Sequence, residues 1–106
     1  MIRVAILYPQ QKDGHFDLAY YLNKHIPLVK ERLNSLGLIR VEVDEGIGSS
    51  APDRPAPYAA IGHLVFERIE DFQKGFAAHG AELVADIPNY TNIQPQIQIS
   101  RIVVES

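Results

Sequence analysis

The sequence predicts an α+β fold: a four-stranded antiparallel sheet with two helices on one face. Three observations carry this. Short apolar or alternating runs recur at both ends and twice in the middle of the chain. Two longer stretches repeat apolar residues at helical spacing. Glycine, proline and polar clusters separate them, giving the order β-α-β-β-α-β.

The elements follow in order. Ile2 to Tyr8 is β-rich and bounded by Pro9, which marks a strand. Pro9 to Gly14 is a polar loop, and Asp17 is placed to cap the helix that follows. That helix runs to about Leu36 and closes at Gly37. On a helical wheel Leu18, Leu22, Val29, Leu33 and Leu36 share one side, with His25 near its middle and Tyr21 one turn before. Proline is well tolerated only in a first turn, so Pro27 predicts a kink or two abutting helices near His25.

Ile39, Val41 and Val43 alternate with Arg40, Glu42 and Asp44, a strand with one apolar face. Gly46 to Pro57, with two glycines, two serines and three prolines, is a long mobile loop. Tyr58 to Phe66 is nearly all apolar, as a central strand covered on both faces would be. Glu67 to Ala85 is the second helix, with Ile69, Phe72, Phe76, Leu83 and Ile87 on one face and a break expected at His79-Gly80. Pro88 to Pro95 is irregular. Ile97, Ile99 and Val103 alternate with Gln96, Gln98 and Ser100 in a last strand. This order is the ferredoxin-like unit.

Its two helices cover only one face of the sheet. The first and third strands are apolar on both faces, so the second face also needs cover, and a homodimer packed sheet against sheet supplies it. The chain of 106 residues reads as one domain, residues 1–106. A composition of 46% hydrophobic and 22% charged residues is that of an ordinary globular protein. The net charge of -3 argues against a nucleic-acid partner. The absence of cysteine excludes disulfides, thiolate metal sites and a cysteine nucleophile. No apolar run is long enough for a membrane helix. The N-terminal residues pass directly into a strand with no signal-peptide pattern, and the cytoplasm is the expected compartment.

The stretch Phe16-Asp17-Leu18-Ala19-Tyr20-Tyr21-Leu22-Asn23-Lys24-His25-Ile26-Pro27 resembles the EthD family, named for ethyl tert-butyl ether degradation, within the dimeric α+β barrel superfamily. The shared features are a phenylalanine-aspartate start, paired tyrosines and a histidine followed two residues on by proline. The likeness continues through Ala60-Ile61-Gly62-His63-Leu64 and Asp86-Ile87-Pro88-Asn89-Tyr90-Thr91. The resemblance implies a homodimeric barrel acting in oxidative or aromatic degradation pathways, without fixing a reaction.

Candidate site residues begin with His25 and Tyr21. A histidine on an apolar face is either hydrogen-bonded filler or a pocket group. As a catalytic pair, His25 would move a proton and Tyr21 would orient or protonate a substrate oxygen. Tyr20 is a second positioning donor. His63 lies on the third strand beside Gly62, whose missing side chain admits a ligand or backbone; its face is not fixed by alternation. His79 sits at the expected helix break, and in related barrel cyclases a histidine from this region lies in the pocket. Tyr8 and Tyr90, at element ends, fit a pocket mouth, whereas Phe72 and Phe76 have core spacing. His15 reads as solvated.

No two histidines have tight ligand spacing, and there is no HExxH, so no metal is expected. GxGxxG, Walker and GxSxG motifs are also missing, so no cofactor is expected and the substrate must supply its own reactivity. Three functions stand. The first is an enzyme, monooxygenase-like or a cyclase or isomerase, working on a small hydrophobic or aromatic metabolite by acid-base or cofactor-independent oxidative chemistry. The second is a non-catalytic subunit that binds such a metabolite or assists an oxygenase. The third is a structural dimer whose cavity is filled.

Overall fold

The structure, a computed structural model, describes residues 1–105. Strands β1 (Ile2–Pro9), β2 (Leu38–Glu45), β3 (Tyr58–Phe66) and β4 (Gln96–Arg101) form one antiparallel sheet in the order β2-β3-β1-β4. The two most apolar strands take the centre and pair from Ile2 with Phe66 to Tyr8 with Ala60. The half-polar strands take the edges, where one polar face costs little.

The first helical segment begins at Asp17, whose carboxylate accepts the Tyr20 N–H at 3.1 Å. It passes through α1 (Leu18–Tyr20), a π turn (Tyr21–His25), α2 (Ile26–Leu33) and a 3-10 turn (Asn34–Leu36). Gly37 ends it in the left-handed region at φ 97°, a conformation that glycine adopts without strain. The interruption foreseen at Pro27 is this π turn. The Ile26 N–H reaches back to the Tyr21 carbonyl, and Pro27, which has no N–H to donate, falls directly after it in the first turn of α2.

The π turn also corrects the helical wheel. At roughly 100° per residue Leu22 would lie between His25 and Ile26 on the inward side. The extra residue in the turn moves it out, and Leu22 is 44% exposed while Tyr21, His25, Ile26, Val29 and Leu33 are buried. A similar correction applies to β2. An irregularity in its pairing between Leu38 and Arg40 turns Ile39 outward, so Leu38 is the buried residue there.

Helix α3 (Ile69–Ala85) runs unbroken through His79-Gly80, against the expected break. Glycine costs helical stability without ending a helix, and here the Phe76 ring lies against Gly80. Ile69 is partly exposed at the start of α3 rather than on its inward face. Val103 lies beyond β4 and is exposed. Gly46 to Pro57 is irregular and almost wholly exposed, with Ala56 as its buried anchor.

Both helical layers cover the same face of the sheet. Val29 and Leu33 of α2 and Leu83 of α3 pack on Val4, Leu64 and Phe66. A second cluster, Tyr8, Tyr21, Ile26, Ala60, Tyr90 and Ile93, continues the core toward the other end of the strands. The opposite face carries no helix, although Val65 on it is fully buried among its neighbours. Strand alternation places Ala5, Leu7, Ile61, His63 and Val65 on it, flanked by Arg40, Glu42 and Asp44 of β2 and Gln96, Gln98 and Ser100 of β4. Its apolar surface is therefore a strip along the two central strands. Among the described residues, no helix is long and apolar enough to cross a membrane.

Candidate functional site

The site forms where two distant segments of the chain are tied together. Phe16 bridges Thr91, and the Asp17 N–H donates to the Tyr90 carbonyl at 2.7 Å. The Thr91 hydroxyl donates to the His15 carbonyl at 2.6 Å and accepts the Ile93 N–H at 3.0 Å. These bonds fix Tyr90 and the end of α3 against the helix that carries Tyr20, Tyr21 and His25.

The central pair is His25 with Asp86. Nδ1 of His25 lies 2.9 Å from Oδ2 of Asp86. A carboxylate only accepts, so Nδ1 carries the proton, and in the neutral ring Nε2 holds the free lone pair. Nε2 has no hydrogen-bond partner among the described residues, and His25 lines a cavity. The ring itself is 6% exposed, stacked on Tyr21 and tilted against Tyr90 at 4.7 Å.

Asp86 ends α3 and starts the 3-10 turn Ile87–Asn89. Its Oδ1 accepts from the Tyr20 hydroxyl at 2.7 Å and from Asn89 Nδ2 at 3.0 Å. Burial raises the carboxyl, but bonds from Asn89, His25 and Tyr20 outweigh it and hold the group below its ordinary value. Asp86 therefore stays ionised and keeps His25 in one tautomer and one orientation.

Around this pair Phe16 and four tyrosines pack edge-to-face, tilted or stacked. The Tyr8 and Tyr90 hydroxyls are 2.6 Å apart. Burial, above all, pushes the phenols of Tyr8, Tyr21 and Tyr90 far above their ordinary range, so they act as hydrogen-bond donors and not as phenolates. The Tyr21 hydroxyl lies against Gly62, in the space a side chain there would occupy. The close approach suggested by that glycine is thus made by a tyrosine of the same chain.

A cavity of about 80 Å³ lies between the sheet and the helices. It runs from Val4, Leu33, Leu64 and Phe72 to Tyr8, Tyr21 and His25, and Phe76, Val84 and Ile97 at its edge are partly exposed. Its volume has room for roughly five to eight water-sized groups.

The predicted site residues fall into two groups. His25, Tyr21, Tyr8, Tyr20 and Tyr90 come together; His25, Tyr21 and Tyr8 line the cavity, while Tyr20 and Tyr90 stand behind it. His63 lies on the opposite face of the sheet, its Nε2 2.8 Å from Asp44 Oδ2. His79 lies on α3, away from the cavity lining. Asp86 and Asn89 were missed. One signal pointed to Asp86: a carboxylate at a helix C-terminus opposes the helix dipole and so asks for a compensating partner. Among the described residues, no three His, Asp or Glu side chains gather as a metal-binding set.

The chain and its fold have known counterparts. The model of a family described as the EthD domain matches residues 15–94. An EthD-like protein of Ralstonia eutropha is 38% identical, with 99% of this chain and 94% of that chain covered at a TM-score of 0.93. An ethyl tert-butyl ether (EthD) family protein of Bacillus halodurans shares 19% identity over 95% of this chain and 97% of that chain, at a TM-score of 0.72. A dimeric ferredoxin-like protein from an uncultured marine organism shares 14% over 99% and 96%, at 0.61. The last two likenesses are likenesses of fold. A search of curated proteins gives no match.

Proposed function

This chain belongs to the EthD domain family, and from that premise we propose that it performs acid-base chemistry on a small hydrophobic metabolite. The observation that carries the proposal is the His25–Asp86 pair, with one ring nitrogen held by a carboxylate and the other free at an apolar cavity. In the neutral ring Nε2 takes a proton from a carbon next to a substrate carbonyl. The resulting enolate oxygen is within the chemistry of a tyrosine donor, and Tyr21 is the one that lines the same cavity. Return of the proton to another atom gives isomerisation; attack of the enolate on a second carbonyl gives cyclisation. Oxidation of an electron-rich ring by dioxygen would start from the same deprotonation. Such steps belong in an oxidative or aromatic degradation pathway.

The test uses 2-hexanone in D2O and follows loss of its proton signals beside the carbonyl. The wild type is expected to accelerate exchange over buffer. His25→Gln is expected to keep the fold and lose roughly two to four orders of magnitude of that rate. Wild-type exchange no faster than buffer would overturn the catalytic reading. A second reading, a subunit that binds a metabolite without transforming it, draws on the cavity lining, which is apolar outside Tyr8, Tyr21 and His25. It predicts ligand binding without exchange.

The active form in this proposal is a homodimer joined through the helix-free face of the sheet. Arg3 Nε and His63 Nδ1 are buried there without hydrogen-bond partners among the described residues. Buried polar nitrogens are seldom left unpaired, and a second copy can bring an acceptor to the Arg3 Nε–H and a donor to His63 Nδ1, the lone-pair nitrogen of a ring whose Nε2 donates to Asp44.

A further inference from the structure

We propose that the ligand of this site is an amphipathic rod: a straight apolar tail ending in a single carbonyl-type head. This rests on the functional reading above for what happens at the head, and adds which molecules the cavity selects. The argument is the uneven distribution of polarity. Tyr8, Tyr21 and His25, the cavity's polar side chains, all stand at one end. Tyr8 and Tyr21 belong to the aromatic half of the core. The other end is walled by Val4, Leu33, Leu64 and Phe72, of the core cluster that has no polar side chain.

Along β1 the cavity passes Val4, Ile6 and Tyr8 on successive inward positions, a run of about 13 Å at strand spacing. A compact polar substrate would leave the far end dry and would set oxygen atoms against aliphatic walls, where burying an unpaired polar group is costly. A tail lying along β1 fills that end and leaves the head beside His25 Nε2. Phe76, Val84 and Ile97, partly exposed where α3 faces β4, give an apolar entrance.

The experiment is a binding series by calorimetry, from acetone through 2-nonanone, on the wild type and on Phe72→Trp. Affinity is expected to rise roughly fourfold per methylene and to level off at about seven or eight heavy atoms, when the cavity is full. Phe72 is half-buried at the tail end, so the larger ring is expected to make affinity level off at a shorter chain than in the wild type. Intermolecular NOEs from the tail methyl to Leu33 and Val4 methyls are expected in the wild type, which tests orientation whether or not the variant folds. Affinity independent of chain length, or tail NOEs to the Tyr8 and Tyr21 rings instead, would overturn the proposal. Because these readouts need no turnover, they separate it from the proton-exchange test: a chain-length series without exchange leaves the rod and removes the catalysis.

Discussion

At the scale of single residues, the site is a set of mutual constraints. Asp86 is held by three donors, and each of those donors is a group the site needs in place. A carboxyl with a lowered native value stabilises the fold fully above its ordinary value of 3.8, and that contribution is lost as pH falls through the lower native value. Asp86→Asn is expected to lower Tm at neutral pH, because the amide cannot accept from all three. The gap to wild type should narrow below about pH 4, as the native carboxyl also takes up a proton. A gap of constant size from pH 7 to pH 2 would show that the carboxylate charge is not the cause. Gly62 is constrained by contact: a Cβ there collides with the Tyr21 hydroxyl. Gly62→Ala is expected to cost about 1–3 kcal/mol. Adding Tyr21→Phe should recover part of that loss, since the two positions touch and must couple in a double-mutant cycle. Strictly additive losses would contradict the contact.

At the scale of elements, the π turn decides which side chains reach the cavity. With i→i+5 bonding, one residue is inserted into the helix without changing either end. Tyr21 then sits over Gly62 while His25 faces Asp86, and Leu22 is turned to solvent. Deleting Asn23, an exposed residue within the turn, should restore an ordinary α-helix and rotate everything before it by about 100° relative to His25. The expected product is a folded protein of lower Tm in which Tyr21 has left Gly62, read as loss of the Tyr21 ring NOEs to Gly62 and Ile6. Retention of those NOEs would mean that the turn does not set the phase. Gly75 plays a quieter part, since Leu33 of α2 lies against it and fixes how closely α2 and α3 approach above the cavity.

At the scale of the whole molecule, the helices and the cavity occupy one face of the sheet, and the other face carries no helix. On the proposed dimer, buried area should exceed the roughly 1,200 Å² total that marks the low end of stable interfaces. Sedimentation at micromolar concentration is expected to give a two-chain particle, and Arg3→Glu with His63→Glu should shift it toward monomer. A compact wild-type monomer under the same conditions would contradict the dimer. The helix-free face is less apolar than continuous hydrophobic strands suggest, because its edges are the polar sides of β2 and β4. An interface there would be apolar along the middle and hydrogen-bonded at the margins, as interface cores and rims usually are.

The sequence alone determined the element order, the capping at Asp17 and Gly37, the central placement of the strand from Tyr58 to Phe66 and the helix on which His25 lies. These follow from local rules: periodicity, caps and proline chemistry act within a few residues of one another. The resemblance rested in part on Phe16 to Pro27 and Asp86 to Thr91, and the structure showed that these two segments meet. Only the tertiary structure decided that Asp86 holds His25, that Tyr21 rests on Gly62, and that His63 and Leu22 face away from the cavity. The His25–Asp86 contact spans 61 positions along the chain, and no local pattern encodes such a distance. The face of His63 depends on which side of the sheet the helices take, and the phase of Leu22 depends on one inserted residue in a helix whose periodicity reads as regular.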